Sequence, residues 1–461
     1  MLKCWAVLII DPLLPLYPAF IKKRHGLSNL PDISTVHPQK GANRYMKKFL
    51  RTFASVALAG SLLVGCSPSA TEQSSGPITI TFWNTMNTEE TETLKEIIAN
   101  FEKEHKDIKV KMENVPFAEG QNKFKTAAQA GKGPDVLRSE IAWTPEFAAL
   151  GLLEPLDNYF KDQDDFLDNA LKYSKWNGKT WSVPQVTDAL GLLYNKKLLA
   201  EKGFKEPPKT MDEFYQMAKA LSDPAKDKWG FYYRQSDAYW FQPFMWAFGG
   251  GLITEKKEIQ VNNAGSVKGL EFLLKLRDDK VMPDEFSAAN DYNNLQQAFK
   301  TGRAAMVFQG PWATSDLLQG EQFKDPNNLG IAPIPAGPEG KTGSPVGGNG
   351  FVIYAGSKHK EASYKFIAYL TNAENQAKFA SKNGLIPTRK SAFELKEVKE
   401  NRLVNDWRPV LDKATNRPVI PEGGQIYTTF NPEIQAAFKK EKTPQQALDA
   451  VAESWKKLLN K

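Results

Sequence analysis

Alternation and three-to-four spacing divide the chain after residue 77 into short strands and amphipathic helices. Residues 78–83, Ile-Thr-Ile-Thr-Phe-Trp, alternate and are rich in β-branched and aromatic side chains, which predicts a strand. Over 88–104, Leu94, Ile97, Ile98 and Phe101 fall on one helical face, with Thr88 available as a cap. Residues 108–112 alternate again, 117–130 read as a second helix stopped by Gly131 and Gly133, and 134–137 as a short third strand. This βαβαβ succession predicts a parallel sheet covered by helices. Downstream, 191–195 predicts a strand leading into a helix from Lys197, and 211–221 a helix with Thr210 as its cap. A long amphipathic helix follows over 266–279, then strands over 304–308, 330–335 and 350–354 and a helix over 360–370. No short repeat recurs, and no apolar run after Val64 reaches the ~20 residues of a membrane span.

Ahead of this region the pattern changes. Lys47-Lys48 opens a short apolar stretch over 49–64 that is rich in small residues and ends in Leu63-Val64-Gly65-Cys66. A basic flank, a short apolar core and a small-residue site describe a secretory signal. With the cysteine at its end, the stretch resembles a bacterial lipoprotein signal. That resemblance implies a diacylglyceryl group on the Cys66 sulfur, Cys66 as the first mature residue, and everything after it outside the cytoplasmic membrane. One acyl chain gives only marginal binding and two give stable anchoring. Residues 66–77 are then a polar tether. An ordinary secretory signal with a chance cysteine, or a buried N-terminal helix, is the bland alternative. Residues 1–45 precede a signal (46–65) that has its own methionine, Met46, and are read as an extension from a mis-assigned start.

Removing this leader alters the charge argument. Nine of the 60 basic and two of the 53 acidic residues lie in the first 65, which leaves 51 of each. The formal +7 therefore belongs to the leader, and the remainder carries no basic footprint for nucleic acid. The cysteines are Cys4 and Cys66, so neither a disulfide framework nor a cysteine metal site is expected. The length after the leader exceeds what one core usually organises, so two lobes are expected.

Several motifs in order carry a family resemblance. Gly133-Pro134-Asp135-Val136 and Gly151-Leu152-Leu153-Glu154-Pro155-Leu156 are followed by Trp181-Ser182-Val183-Pro184-Gln185 and Leu192-Leu193-Tyr194-Asn195-Lys196. Then come 299–308 with Gly310-Pro311-Trp312, and 366–379 with Asn383-Gly384-Leu385-Ile386-Pro387. Together they resemble the extracellular solute-binding proteins of ABC importers, with spacing most similar to maltose- and maltodextrin-binding proteins. The resemblance implies a two-lobed α/β periplasmic-binding-protein fold (type II), each lobe a mostly parallel sheet flanked by helices, with ligand held in the cleft. Residues 78–186 and 346–392 would form the N-terminal lobe, and 187–345 and 393–461 the C-terminal lobe.

A sugar cleft needs aromatic faces for C–H surfaces and paired donors and acceptors for hydroxyls. On the family pattern, Trp312 is a sugar platform, Asp237 and Tyr239 an acid and aromatic pair, and Asp188 an acceptor facing the cleft. Trp240 is a second stacking candidate. Arg138, Glu140 and Trp143 fill a window where the family carries Trp, Asp and Arg in another order, so Arg138 or Glu140 could instead form a structural pair. Tyr427 stands where paired aromatics are common, while Thr428 and Asn431 depart from the pattern. Asn349, Asn84 and Asn87 are hydrogen-bonding candidates for which turn chemistry is an equal reading. The bland alternatives are a surface aromatic cluster for 237–240 and a core tryptophan at a helix start for Trp312.

The expected function is capture of maltose- or maltodextrin-type oligosaccharide outside the membrane and delivery to ABC permease subunits. The protein would be a monomer attached to the membrane by lipid alone, with no cofactor, metal or nucleic acid. One rival is a binder of another solute class, such as a polyamine held by Asp188, Glu140 and Asp237. Another is a glycosidase using two of those carboxylates; a third is a purely structural surface lipoprotein. No Gly-x-Ser-x-Gly motif is present, and the four histidines have no metal spacing.

Overall fold

A computed structural model describes residues 76–285 and 290–460. Cys66, the signal and nearly all of the tether lie outside the described residues. Twelve strands occur among those described: β1 (Ile78–Asn84), β2 (Ile108–Asn114), β3 (Val136–Glu140), β4 (Lys175–Trp176), β5 (Lys179–Thr180), β6 (Val183–Ala189), β7 (Gly191–Asn195), β8 (Trp229–Tyr232), β9 (Ala304–Gln309), β10 (Leu329–Ala332), β11 (Val346–Ile353) and β12 (Ile386–Pro387). They build a six-stranded sheet in the order β12-β6-β11-β3-β1-β2, a four-stranded sheet in the order β10-β7-β9-β8, and the β4-β5 hairpin.

Each large sheet runs mainly one way. In the first, β1, β2, β3 and β6 share a direction, and β11 is inserted antiparallel between β3 and β6. In the second, β8, β9 and β10 share a direction and β7 opposes them. The pairings are therefore more mixed than a wholly parallel βαβ reading implies. Strands that enter a sheet from the other lobe arrive from its far end, so they run against the helix-connected strands. Strand β6 stays in the first sheet to Ala189 and β7 opens the second at Gly191, so the chain changes sheet at Leu190, a few residues beyond the 186/187 boundary.

Strands covered on both faces bury every position, and alternate side chains enter different cores. Val136, Phe351 and Ile353 join Ile80, Phe82, Ile97, Phe101 and Phe366, while Leu137 and Val352 join Phe124, Phe147 and Tyr354 on the opposite face. The second sheet packs a separate core around Phe231, Phe244 and Phe308, closed by Phe430 and Trp455 from the C-terminal helices.

The first three helices set the edge that matters for function. They are α1 (Thr88–Glu104), α2 (Phe117–Gln129) and α3 (Trp143–Ala149), and each follows the C-terminal end of β1, β2 or β3. Asn87, not Thr88, caps α1, its side chain accepting from Glu90 N. Because β1 pairs in register with β2 and in parallel with β3, the loops 84–87, 115–117 and 141–142 emerge on one side. Ligands of α/β sheets bind at this carboxyl edge.

Candidate functional site

Asp188 lies near the end of β6, opposite Gly347 of β11. Its side chain is only 7% exposed. Among the described residues its carboxylate has no hydrogen-bond or ion-pair partner. Burial pushes it up to about 7; Arg417 and Arg138 pull the other way, and Glu140 and Glu90 reinforce the rise. Three carboxylates thus face two guanidiniums, and a proton on Asp188 balances the group.

The other charges of that group are partnered. Arg417 donates to Glu140 Oε1 and, through Nε, to Val346 O at 2.8 Å. Its guanidinium lies 5.6 Å from the centroid of the Tyr239 ring, a cation–π distance. Glu140 also accepts from Ala142 N at 2.8 Å. Arg138 Nε donates to Gln185 Oε1 at 2.7 Å, and its NH2 lies 3.7 Å from Glu90 Oε2. Burial raises Glu90 against the pull of Arg138 and the Asn87 cap.

Aromatic rings adjoin this group. The Tyr239 hydroxyl donates to Pro345 O at 3.3 Å, and its ring meets that of Tyr427 at 6.2 Å. The Tyr427 hydroxyl accepts from Gln242 Nε2 at 2.7 Å. Trp312, half-buried after β9, packs against residues of both main cores. Its ring is edge-on to Trp240 at 6.4 Å, and its carbonyl accepts from Asn87 Nδ2 at 3.1 Å. A Cβ on Gly310 would overlap the Trp312 ring, so glycine is required there. Gln425 Nε2 to Glu146 Oε1 at 2.9 Å makes a further link across the lobes.

The candidates thus separate by what already engages them. Asp188, Tyr239, Tyr427, Glu140 and Arg138 converge on one charge cluster, with Trp312 and Asn87 joined at the same lobe junction. Asp237 is paired with Arg234 NH1 at 3.0 Å and accepts from Tyr239 N at 3.0 Å, so it shapes the turn that presents Tyr239. Trp240 is buried, donates to Phe308 O at 2.8 Å, and is covered by Arg234 at 4.5 Å. Asn84 is buried, giving to Thr91 Oγ1 and Asn114 Oδ1 and accepting from Met86 N, so its bonding is internal. Asn349 Oδ1 is buried without a partner beside a small cavity lined by Tyr173, Ser174, Ser182 and Thr187, and the residue lies opposite Glu140 in the β11–β3 pairing. Trp143 begins α3 and is buried against Phe117 and Phe147. Arg138 and Glu140 do not pair with each other. Arg417, Glu90 and Gln185 are the residues the sequence pattern did not single out.

Two measurements follow from Asp188. Between pH 4 and 7 the folded chain holds a proton that the unfolded chain releases, so this residue makes stability fall as pH rises. Asp188→Asn removes that slope; from pH 5 to pH 8 the variant gains about 2 kcal/mol on the parent in urea unfolding. The second concerns Gly347. An added Cβ would overlap Asp188 Oδ1 and reach the Tyr239 hydroxyl at 2.9 Å. Gly347→Ala therefore displaces both groups and lowers folding stability by about 1–3 kcal/mol in urea unfolding.

Residues 87–377 match the family described as bacterial extracellular solute-binding protein. The galactooligosaccharide-binding protein of Bacillus subtilis (strain 168) is 28% identical over 423 residues, covering 89% of this chain and 97% of that protein. The maltodextrin-binding protein MdxE of the same organism is 30% identical over 424 residues, covering 88% and 96%. Among solved structures, the GacH receptor of Streptomyces glaucescens GLA.O, determined unliganded and with acarbose, has a TM-score of 0.80 at 39% identity over 83% of this chain and 99% of that one. The MalE domain of Bdellovibrio bacteriovorus bound to maltotriose has a TM-score of 0.75 at 28% identity over 83% and 100%.

Proposed function

The chain belongs to the bacterial extracellular solute-binding protein family, and from that premise we propose that it is the lipid-anchored receptor of an ABC importer for maltodextrin-type oligosaccharide. It captures the sugar between its lobes outside the cytoplasmic membrane, held through Cys66, and hands it unaltered to the permease subunits. The observation that carries the ligand assignment is Asp188: a buried carboxyl with no hydrogen-bond partner in the protein, beside tyrosine rings at the carboxyl edge of the first sheet. Sugar hydroxyls, which both donate and accept, supply the missing partners, and Tyr239, Tyr427 and Trp312 offer faces for the C–H surfaces. Relatives named for galactooligosaccharide and maltodextrin, and a solved relative holding acarbose, support the same class.

The same partners weigh against the rivals. A polyamine or a two-carboxylate hydrolase would need several uncommitted acids, yet Glu140 is held by Arg417 and Asp237 by Arg234. The family is one of binders, and the chain is not an enzyme.

Titration calorimetry of the full chain against maltose, maltotriose, galactooligosaccharide and spermidine tests the ligand class. Binding of an oligosaccharide, weakened by Asp188→Asn, is the expected result; binding of spermidine alone would overturn it. For the anchor, Cys66→Ser is expected to move the protein from the membrane fraction to the soluble extracytoplasmic fraction.

A further inference from the structure

Phe117 is 49% exposed, and Ile78 and Leu150 are the other exposed large hydrophobic side chains among the described residues. Its place in the fold makes this exposure informative. It follows the C-terminal end of β2 and opens α2, whereas Trp143 follows β3 and opens α3. Both therefore lie at the carboxyl edge that carries Glu140 and Asn87. The Phe117 ring covers Trp143 at 5.1 Å with an interplanar angle of 35°, so Phe117 is the open layer over a buried one (Trp143 is 6% exposed).

The pair also adjoins the second lobe. A Cβ on Gly424 would sit 3.2 Å from Trp143 Cδ1, and Gln425 donates across to Glu146 of α3 at 2.9 Å. Gly424 and Gln425 immediately precede Ile426 and Tyr427 at the start of the helix Ile426–Phe438. The Tyr239–Tyr427 ring pair and the Trp143–Phe117 ring pair are thus joined through the segment 424–427, with Phe117 at the outer end. Around that outer end, Glu146 is bonded by Gln121 and Lys125, which leaves the ring face as the recognition surface.

We propose that Phe117, backed by Trp143, is an outer stacking subsite that receives an additional pyranose of the ligand and makes affinity depend on oligosaccharide length. This deepens the functional reading above and rests on it. A stacked ring adds affinity only when the ligand is long enough to reach it, so the effect is confined to longer chains.

The test is titration calorimetry of the full chain and of Phe117→Ala with maltose, maltotriose, maltotetraose and maltopentaose. The parent is expected to bind the longer ligands about tenfold more tightly than the shorter, and Phe117→Ala to lose that gain while keeping the parent affinity for the shortest ligand bound. Phe117 is half-exposed, so its thermal midpoint should be unchanged, which separates the effect from misfolding. Phe117→Tyr should restore the length dependence. An equal loss for all lengths, or the same length dependence with and without the ring, overturns the subsite while leaving the oligosaccharide reading intact. Failure of the parent to bind any of the series overturns that reading and the subsite together.

Discussion

Trp312→Ala is expected to weaken oligosaccharide binding by about 2–4 kcal/mol, the range of a buried aromatic anchor. The ring is half-buried between the two lobes, standing edge-on to Trp240 and touching residues of both cores. It therefore offers a flat apolar face where the ligand would be enclosed, and its loss removes contact area that no neighbour can replace. Trp240 cannot substitute, because its ring is covered by Arg234 and its Nε1 is committed to Phe308 O. The backbone carbonyl of residue 312 still accepts from Asn87, so the lobe contact survives in the variant. Calorimetry with maltotriose, accompanied by urea unfolding, separates the two roles. A dissociation constant unchanged from the parent would remove Trp312 from the site.

Arg417→Ala is expected to lower folding stability by about 3–5 kcal/mol, the cost of leaving one member of a buried ion pair alone. Arg417 touches Glu140, Val346 O and the Tyr239 ring, and its own N–H donates to the Tyr173 hydroxyl. Without it, Glu140 keeps one backbone donor, Asp188 loses its strongest cationic neighbour, and Tyr239 loses the charge above its ring. Asp188 should then stay protonated to still higher pH. Adding Glu140→Gln removes the stranded charge, so the double variant should recover much of the loss in urea unfolding. If the double variant is no more stable than Arg417→Ala, the pairing contributes little and Arg417 acts mainly through packing.

Much of the fold could be read locally. The alternation of residues 78–83 becomes β1, the spacing of Leu94, Ile97 and Phe101 becomes the buried face of α1, and the apolar run at 304–308 becomes a strand buried on both faces. These signals depend on neighbours within one or two turns, which is why a single sequence carries them. The insertion of β11 between β3 and β6 is not such a signal, since it pairs segments far apart in the chain.

The site divides in the same way. Asp188, Tyr239 and Trp312 are named by residue type and motif, but whether a polar side chain is available to ligand depends on what else reaches it. Asp237 and Asp188 look equivalent as letters; Arg234 occupies one, and nothing within the described protein bonds the other. Asn84 and Asn87 look equivalent too, yet one is bonded internally on three sides while the other caps α1 and reaches Trp312. Arg417 sits in a stretch without periodicity and meets a glutamate 277 positions away. Periodicity, cap chemistry and motif order determined the elements, the two-lobed class and the kind of chemistry on offer. The tertiary structure alone decided which acids are neutralised and which rings stay open, because burial and pairing are properties of distant segments brought together rather than of any segment by itself.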